Sequence, residues 1–183
     1  HQGRAAEKVL FSVVAKSGET IPNNTHFDTT RGNLEFIGAN PIDLPTDIGI
    51  RPEIVAALKG NMVIEKLEAT IKKYGKENIP IAMITITNNS GGGQPVSMEN
   101  IRETKKILNK YGIPLYLDCC RFAENAYLLS DHPLHHLKVF PDNLELKRLV
   151  FLIRVIRLQE TGFSFSVIVQ GIRYRFSLFQ TSL

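Results

Sequence analysis

Between Ile79 and Thr87 the chain runs apolar and β-branched, and between Asn88 and Pro95 it turns polar and glycine-rich. From Ser97 to Tyr111 apolar residues recur at helical spacing, with Met98, Ile101, Leu108 and Tyr111 forming one stripe. A second apolar run, Ile113 to Leu117, ends on Asp118. These runs predict a strand, a loop, a helix and a strand in that order. Two strands joined through a helix run parallel, with a right-handed crossover. Asn89 and Asp118 then fall where parallel strands end, the edge at which open α/β sheets bind ligands. The helix carries its own punctuation. Ser97 is its expected N-cap and Glu99 places an anion in the first turn, while Lys105, Lys106 and Lys110 fall toward the C-terminal end and Gly112 supplies the stop.

The same patterning extends toward the N-terminus. Ala5 to Val14 predict a helix with Glu7 in its first turns, Lys16 to Glu19 a turn, and Thr20 to Phe27 a short extended segment. Asp28, Thr29 and Thr30 read as an N-cap cluster for a helix through Gly38, and Asn40 to Leu44 as a short strand. Pro45 to Asn61 is a connection with a helical turn expected at Glu53 to Leu58. Ile64, Leu67, Ile71 and Tyr74 then recur at helical spacing, with Gly75 as stop. Successive βα units predict an α/β fold, a mostly parallel sheet with flanking helices. Beyond Leu128 the composition shifts to Phe, Leu, Ile, Val and Arg, as in LKRLVFLIRVIRL. Strands are expected near Phe163 to Val169 and a helix at Leu144 to Leu158.

Composition narrows the classes. At 183 residues and 43% apolar the chain is long enough for one sizeable core. Its 22 basic and 18 acidic residues leave a mild +4, and no basic stripe is interleaved with aromatics, so nucleic acid is not an expected partner. The longest apolar runs are broken by Arg or Lys short of a membrane span. The two cysteines, Cys119 and Cys120, are adjacent, which disfavours a disulfide between them and fits a reducing, cytoplasmic setting. No His or Cys pair recurs at zinc-ligand spacing, and His135 and His136 read as surface loop residues. The chain begins at His1 without a methionine, and a piece of something longer is expected.

Several residues carry candidate chemistry. A glycine ahead of a helix, as in HQGR, lets backbone amides approach an anion that the helix dipole also favours; read alone, the same residues are a frayed chain end. Phe27 read alone is a core aromatic. Asp118 read alone is an N-cap for a helix from Phe122.

Four motifs in order, HQGRAAE at His1, HFDTTRGN at His26, NSGGGQPVSM at Asn89 and LDCCRFAENAY at Leu117, resemble the aromatic amino-acid β-eliminating lyases, tryptophanase and tyrosine phenol-lyase. The likeness covers roughly the first 130 residues and stops after Tyr127. It implies the large domain of a pyridoxal-phosphate enzyme of the aspartate-aminotransferase type, fold type I, over residues 1–129, followed by an unrelated tail over 130–183. Either a replacement domain, or a shifted reading frame or retained intron, would produce that tail, and the second is the favoured reading. The resemblance implies that Gln2, Gly3 and Arg4 hold the cofactor phosphate and that Phe27 lies over the pyridine ring. It implies that Asn89 and Arg121 approach the ring oxygen and that Asp118 faces the ring nitrogen. Asp28 is tryptophanase-like, where tyrosine phenol-lyase carries Thr, and points to indole as leaving group. Asn88, Ser90 and the glycines are read as turn-formers, while Glu124 and Asn125 match the pattern without an evident role.

The family's Schiff-base lysine lies in an SxKK-type segment with no counterpart in residues 128–183, so no catalytic residue is assigned and no elimination is expected from this chain. The arginine that binds the substrate carboxylate and part of a monovalent-cation site are also expected elsewhere. The full-length family is expected to act on an amino-acid substrate as a homo-oligomer. The competing reading is a noncatalytic α/β protein binding pyridoxal phosphate or a partner subunit.

Overall fold

The computed structural model describes residues 3–130, 164–169 and 172–177. The chain divides into two compact units, 1–139 and 140–183. The first unit opens with α1 (Gly3–Val14), β1 (Thr20–Asn23), α2 (Asp28–Phe36) and β2 (Asn40–Asp43). It continues with α3 (Ile64–Tyr74), β3 (Ala82–Thr85), α4 (Met98–Tyr111), β4 (Leu115–Asp118) and α5 (Phe122–Ser130). Strand β1 pairs parallel with β2, and β3 parallel with β4. In the second unit, β5 (Ser164–Val169) and β6 (Ile172–Ser177) pair antiparallel. The helix expected at Leu144 to Leu158 and the residues His135 and His136 lie outside the described residues.

The central strand explains the layering. Ala82, Ile84 and Ile86 pack into one core with Leu67 and Ile71 of α3 and Ile101 and Leu108 of α4. The alternate residues, Ile81 and Met83, pack into a second core with Phe11 of α1 and Leu34 of α2. Strand β4 repeats the division: Leu115 and Leu117 join the first core, and Tyr116 packs on the second. Side chains of a strand alternate between faces, so an uninterrupted apolar run means helices on both faces. Each fully buried aliphatic side chain here contributes about 1.5–3 kcal/mol. Tyr116 also meets the Phe11 ring edge-on, with centroids 6.3 Å apart.

Helix α4 is punctuated as expected. The Ser97 hydroxyl accepts the Asn100 amide at 3.1 Å, and Gly112 ends the helix in the left-handed region at φ 73°. Three expectations are corrected. The N-cap of α2 is Phe27, without a side-chain cap, and Asp28 is its first helical residue, accepting the Thr29 amide at 2.6 Å. Residues 53–58 form turns rather than a helical turn, because the buried Lys59 ammonium donates to the carbonyls of Arg51 and Ile54 at 2.7 and 2.8 Å and gathers the loop around itself. The extended segment at Thr20 ends at Asn23 instead of Phe27; beyond it the side chain of Asn24, not the main chain, binds the amide and carbonyl of Thr85 on β3.

Candidate functional site

The ends of three strands open onto one cleft. Thr85 is the last residue of β3, Asp118 the last of β4, and Phe27 follows the turn after β1; all three line a cavity of about 410 Å³. Gly3 and Arg4, the first residues of α1, close it from the side. The N-terminal end of α1 brings the helix's first backbone amides and the positive end of its dipole to that wall. A Cβ built on Gly3 would meet nothing within 4 Å, so the backbone there stands clear for a ligand to approach.

The loop after β3 folds back on itself. Asn88 and Gln94 exchange backbone hydrogen bonds of 2.8 and 3.1 Å, closing a hairpin around Asn89 to Gly93. Gly92 and Gly93 sit at φ 85° and 71°, where a side chain would be strained. The Asn88 carboxamide accepts the Gly91 amide and donates to Thr25 Oγ1, and Ser90 donates to the His26 carbonyl at 2.9 Å. These contacts fix the loop and leave Asn89 on the cavity wall. The Asn89 carboxamide makes no hydrogen bond to any described residue.

Electrostatics concentrate on the β4 side. Burial pushes the Asp118 carboxyl above the ordinary carboxylate range, opposed by the hydrogen bond from the Cys120 amide at 3.3 Å and by the Arg121 charge. Glu7, one turn along α1 from Arg4, is also buried and raised. Its two carboxyl oxygens each lie 3.0 Å from Thr30 Oγ1. Burial, then the Asp118 and Glu7 charges, pushes the Tyr116 hydroxyl up, and burial lifts the Cys119 thiol to about 12. Behind the Phe27 turn, Asp43 accepts from His26 Nδ1 at 2.6 Å, from the His26 amide at 2.8 Å and from Arg31 at 2.6 Å. Burial alone would raise Asp43; the His26 hydrogen bonds and the Arg31 charge bring it below its ordinary value.

Of the residues singled out from sequence, Gly3, Arg4, Phe27, Asn89, Asp118 and Arg121 line this one cavity. Gln2 lies outside the described residues. Asp28 stands beside the cavity-lining Phe27 and Thr29 but is not itself part of the wall. Sequence reasoning passed over Glu7, Thr30 and Tyr116, which also line it. A signal existed for two of them: Glu7 follows Arg4 at i+3 on a helix, and Tyr116 precedes Asp118 at i−2 on a strand, so each pair shares a face.

The family model described as beta-eliminating lyase matches residues 1–154. Tryptophanase of Salinibacter ruber is 52% identical over 130 residues, 71% of this chain and 27% of that protein. Tryptophanase of Hyphomonas neptunium is 54% identical over 130 residues, 71% of this chain and 28% of that protein. Tyrosine phenol-lyase of Symbiobacterium thermophilum is 40% identical over 131 residues, 72% of this chain and 29% of that protein. The chain thus spans between a quarter and a third of the length of these relatives.

Proposed function

We propose, since the chain belongs to the beta-eliminating lyase family, that residues 3–130 form the cofactor-holding wall of a pyridoxal-phosphate enzyme that β-eliminates an aromatic amino acid. The observation that carries this reading is the convergence of Arg4, Phe27, Asn89, Asp118 and Arg121 on one cavity from four separate places in the sequence.

The donor set fits the group. Arg4 and the amide end of α1 suit a phosphate dianion. Phe27, an aromatic ring left 37% exposed, offers a flat apolar face for a heteroaromatic ring. The half-buried Asp118 carboxyl, which accepts from the amide and thiol of Cys120, gains from a cationic ring N–H. When bound, pyridoxal phosphate supplies a ring that withdraws the charge left at a substrate α-carbon on proton loss. Asp118 would hold the proton on the ring nitrogen, and Asn89 and Arg121 would donate toward the ring oxygen.

Tryptophan is the proposed substrate, with indole, pyruvate and ammonia as products. The higher identity to the two tryptophanases than to the tyrosine phenol-lyase supports it, as does Asp28. Among the described residues no helix is long and apolar enough to cross a membrane. A cytoplasmic enzyme assembled from copies of itself completes the proposal.

The test is titration of the chain with pyridoxal 5'-phosphate, followed by the cofactor's absorbance and by phosphate competition. Asp118→Ala and Arg4→Ala each remove a charge-assisted contact worth about 1.5–3 kcal/mol, roughly ten- to a hundredfold in affinity. Affinity unchanged in both variants would refute the reading.

A further inference from the structure

Glu7 and Thr30 make an arrangement that the cofactor contacts do not explain. The Glu7 side chain is buried, and its only hydrogen-bond partner among the described residues is the Thr30 hydroxyl, 3.0 Å from both carboxyl oxygens. A threonine hydroxyl has one proton and two lone pairs. It cannot point that proton squarely at two oxygens. If Glu7 carries a proton, one carboxyl oxygen accepts from Thr30 while the other donates back to it, and both short contacts become hydrogen bonds. An ionised Glu7 makes one such bond and leaves its other oxygen with none.

The pair also sits at a mechanical junction. Glu7 is on α1, one turn from Gly3 and Arg4, and Thr30 is on α2, three residues from Phe27. All of these line the same cavity. We propose that Glu7 is a positioning residue that, as a neutral carboxylic acid, closes a two-bond ring with Thr30 and holds the anion-binding end of α1 at a fixed distance from the aromatic wall of α2. This inference rests on the cofactor reading above and adds a residue and a proton to it.

The charges around Glu7 support the neutral form. Asp118 and Tyr116 on β4, then Cys120 and Arg121, share its cavity, with Arg4 on its own helix; α2 contributes only Thr29 and Thr30, neither of which ionises in this range. Burial raises the Glu7 carboxyl most, and the Asp118 charge adds to it against the Thr30 hydrogen bond. A second anion beside Asp118 would also repel a phosphate-bearing ligand. Affinity for pyridoxal phosphate therefore falls as pH rises through the elevated Glu7 range.

The variants separate a neutral tether from an anionic one. Glu7→Gln keeps a donor and an acceptor for Thr30 and cannot ionise. It is expected to bind pyridoxal 5'-phosphate as the parent chain does at low pH, and to lose less affinity as pH rises. Glu7→Ala and Thr30→Val are expected to bind roughly five- to tenfold more weakly, the loss of one or two ordinary hydrogen bonds, with Thr30→Ser restoring binding. A ligand-free readout is the carboxyl ¹³C shift of Glu7 against pH, assigned by its absence in Glu7→Gln. The midpoint is expected above the ordinary value of 4.5. A midpoint at or below it, or Glu7→Gln binding as poorly as Glu7→Ala, overturns the proposal. If Asp118→Ala and Arg4→Ala leave cofactor binding untouched, the cofactor reading fails, while the ¹³C midpoint still decides whether Glu7 is neutral.

Discussion

Replacing Asn24 with alanine tests whether a side chain has taken over the work of a β-ladder. Asn24 is fully buried, and its carboxamide donates to the carbonyls of Gly60 at 2.9 Å and Thr85 at 3.0 Å while accepting the Thr85 amide at 2.9 Å. Alanine leaves one amide and two carbonyls without those partners between β1, β3 and the loop at Gly60. A buried backbone group stripped of its partner costs about 1–3 kcal/mol, and water entering the vacated space recovers part of it. The expected loss is roughly 3–5 kcal/mol, a large fraction of the 5–15 kcal/mol typical of a domain. With a urea slope near 2 kcal/mol/M, the midpoint should fall by about 2 M. Far-UV circular dichroism against urea reads it directly. Asn24→Asp is a sharper version. It still accepts from Thr85 but sets a carboxylate against two carbonyl oxygens, so it should be at least as damaging at neutral pH and recover partly in acid. Asn40 provides the contrast, since its carboxamide donates to the Gly18 carbonyl at an exposed site, and Asn40→Ala should cost under about 1 kcal/mol. A loss below about 1 kcal/mol for Asn24→Ala would refute the reasoning.

Two further outcomes are expected. Asp43 is held below its ordinary carboxyl value, so its contribution to stability is present above the unfolded value of about 3.9 and is lost as pH falls through the folded one. Asp43→Asn should therefore cost about 1.5–3 kcal/mol in urea unfolding at pH 7 and progressively less below pH 4; a difference that stays constant with pH would contradict the assignment. The 183-residue chain, supplied with pyridoxal phosphate and tryptophan, should release no indole, because neither Lys138 nor Lys147 sits in a segment like that of the family's cofactor-anchoring lysine; steady indole release would sink that expectation.

The strands and helices of the first unit were legible because burial on two faces leaves a plain trace. Ile79 to Thr87 is apolar without alternation, which is what helices on both sides of β3 demand. Caps were legible where the capping group is local, as at Ser97, and illegible where it is not. Phe27 begins α2 with no side-chain cap, its apolar ring having no acceptor to offer, and Asp28 just inside the helix accepts the Thr29 amide instead. The loop before α3 could not be read because Lys59, polar and apparently destined for solvent, is buried against carbonyls its own loop supplies. The site divided in the same way. Residues in motifs were found by resemblance, whereas Thr30 enters only because α2 packs on α1, which no spacing in the sequence expresses. Asn125 had no evident role from sequence; in the fold its buried carboxamide accepts the Val96 amide at 2.8 Å and donates to the Val96 carbonyl at 3.0 Å.

Among the described residues Asn125 is one of three asparagines that pair with both backbone groups of a single distant residue, and one of them acts at the cleft. Asn100 treats Met62 the same way, at 2.8 Å in both directions, and Asn24 does so for Thr85. A β-ladder keeps neighbouring backbones about 4.8 Å apart, too close for a ligand to enter between them. A cavity at strand ends therefore requires the ladder to stop, and a ladder that stops inside a protein strands amides and carbonyls that must be paired. Asparagine carries a peptide-like group on a one-carbon stem, so it can satisfy both backbone groups of one residue from several ångströms further away. Where β1 ends at Asn23, the Asn24 side chain binds both backbone groups of Thr85 on β3, and the main chain is released to turn through His26 and place Phe27 on the cavity wall. Glutamine would reach further but with another rotatable bond to order, and aspartate lacks the donor. The position of Asn24 thus follows from the need for a cleft, since Thr85, whose backbone it holds, lines the cavity.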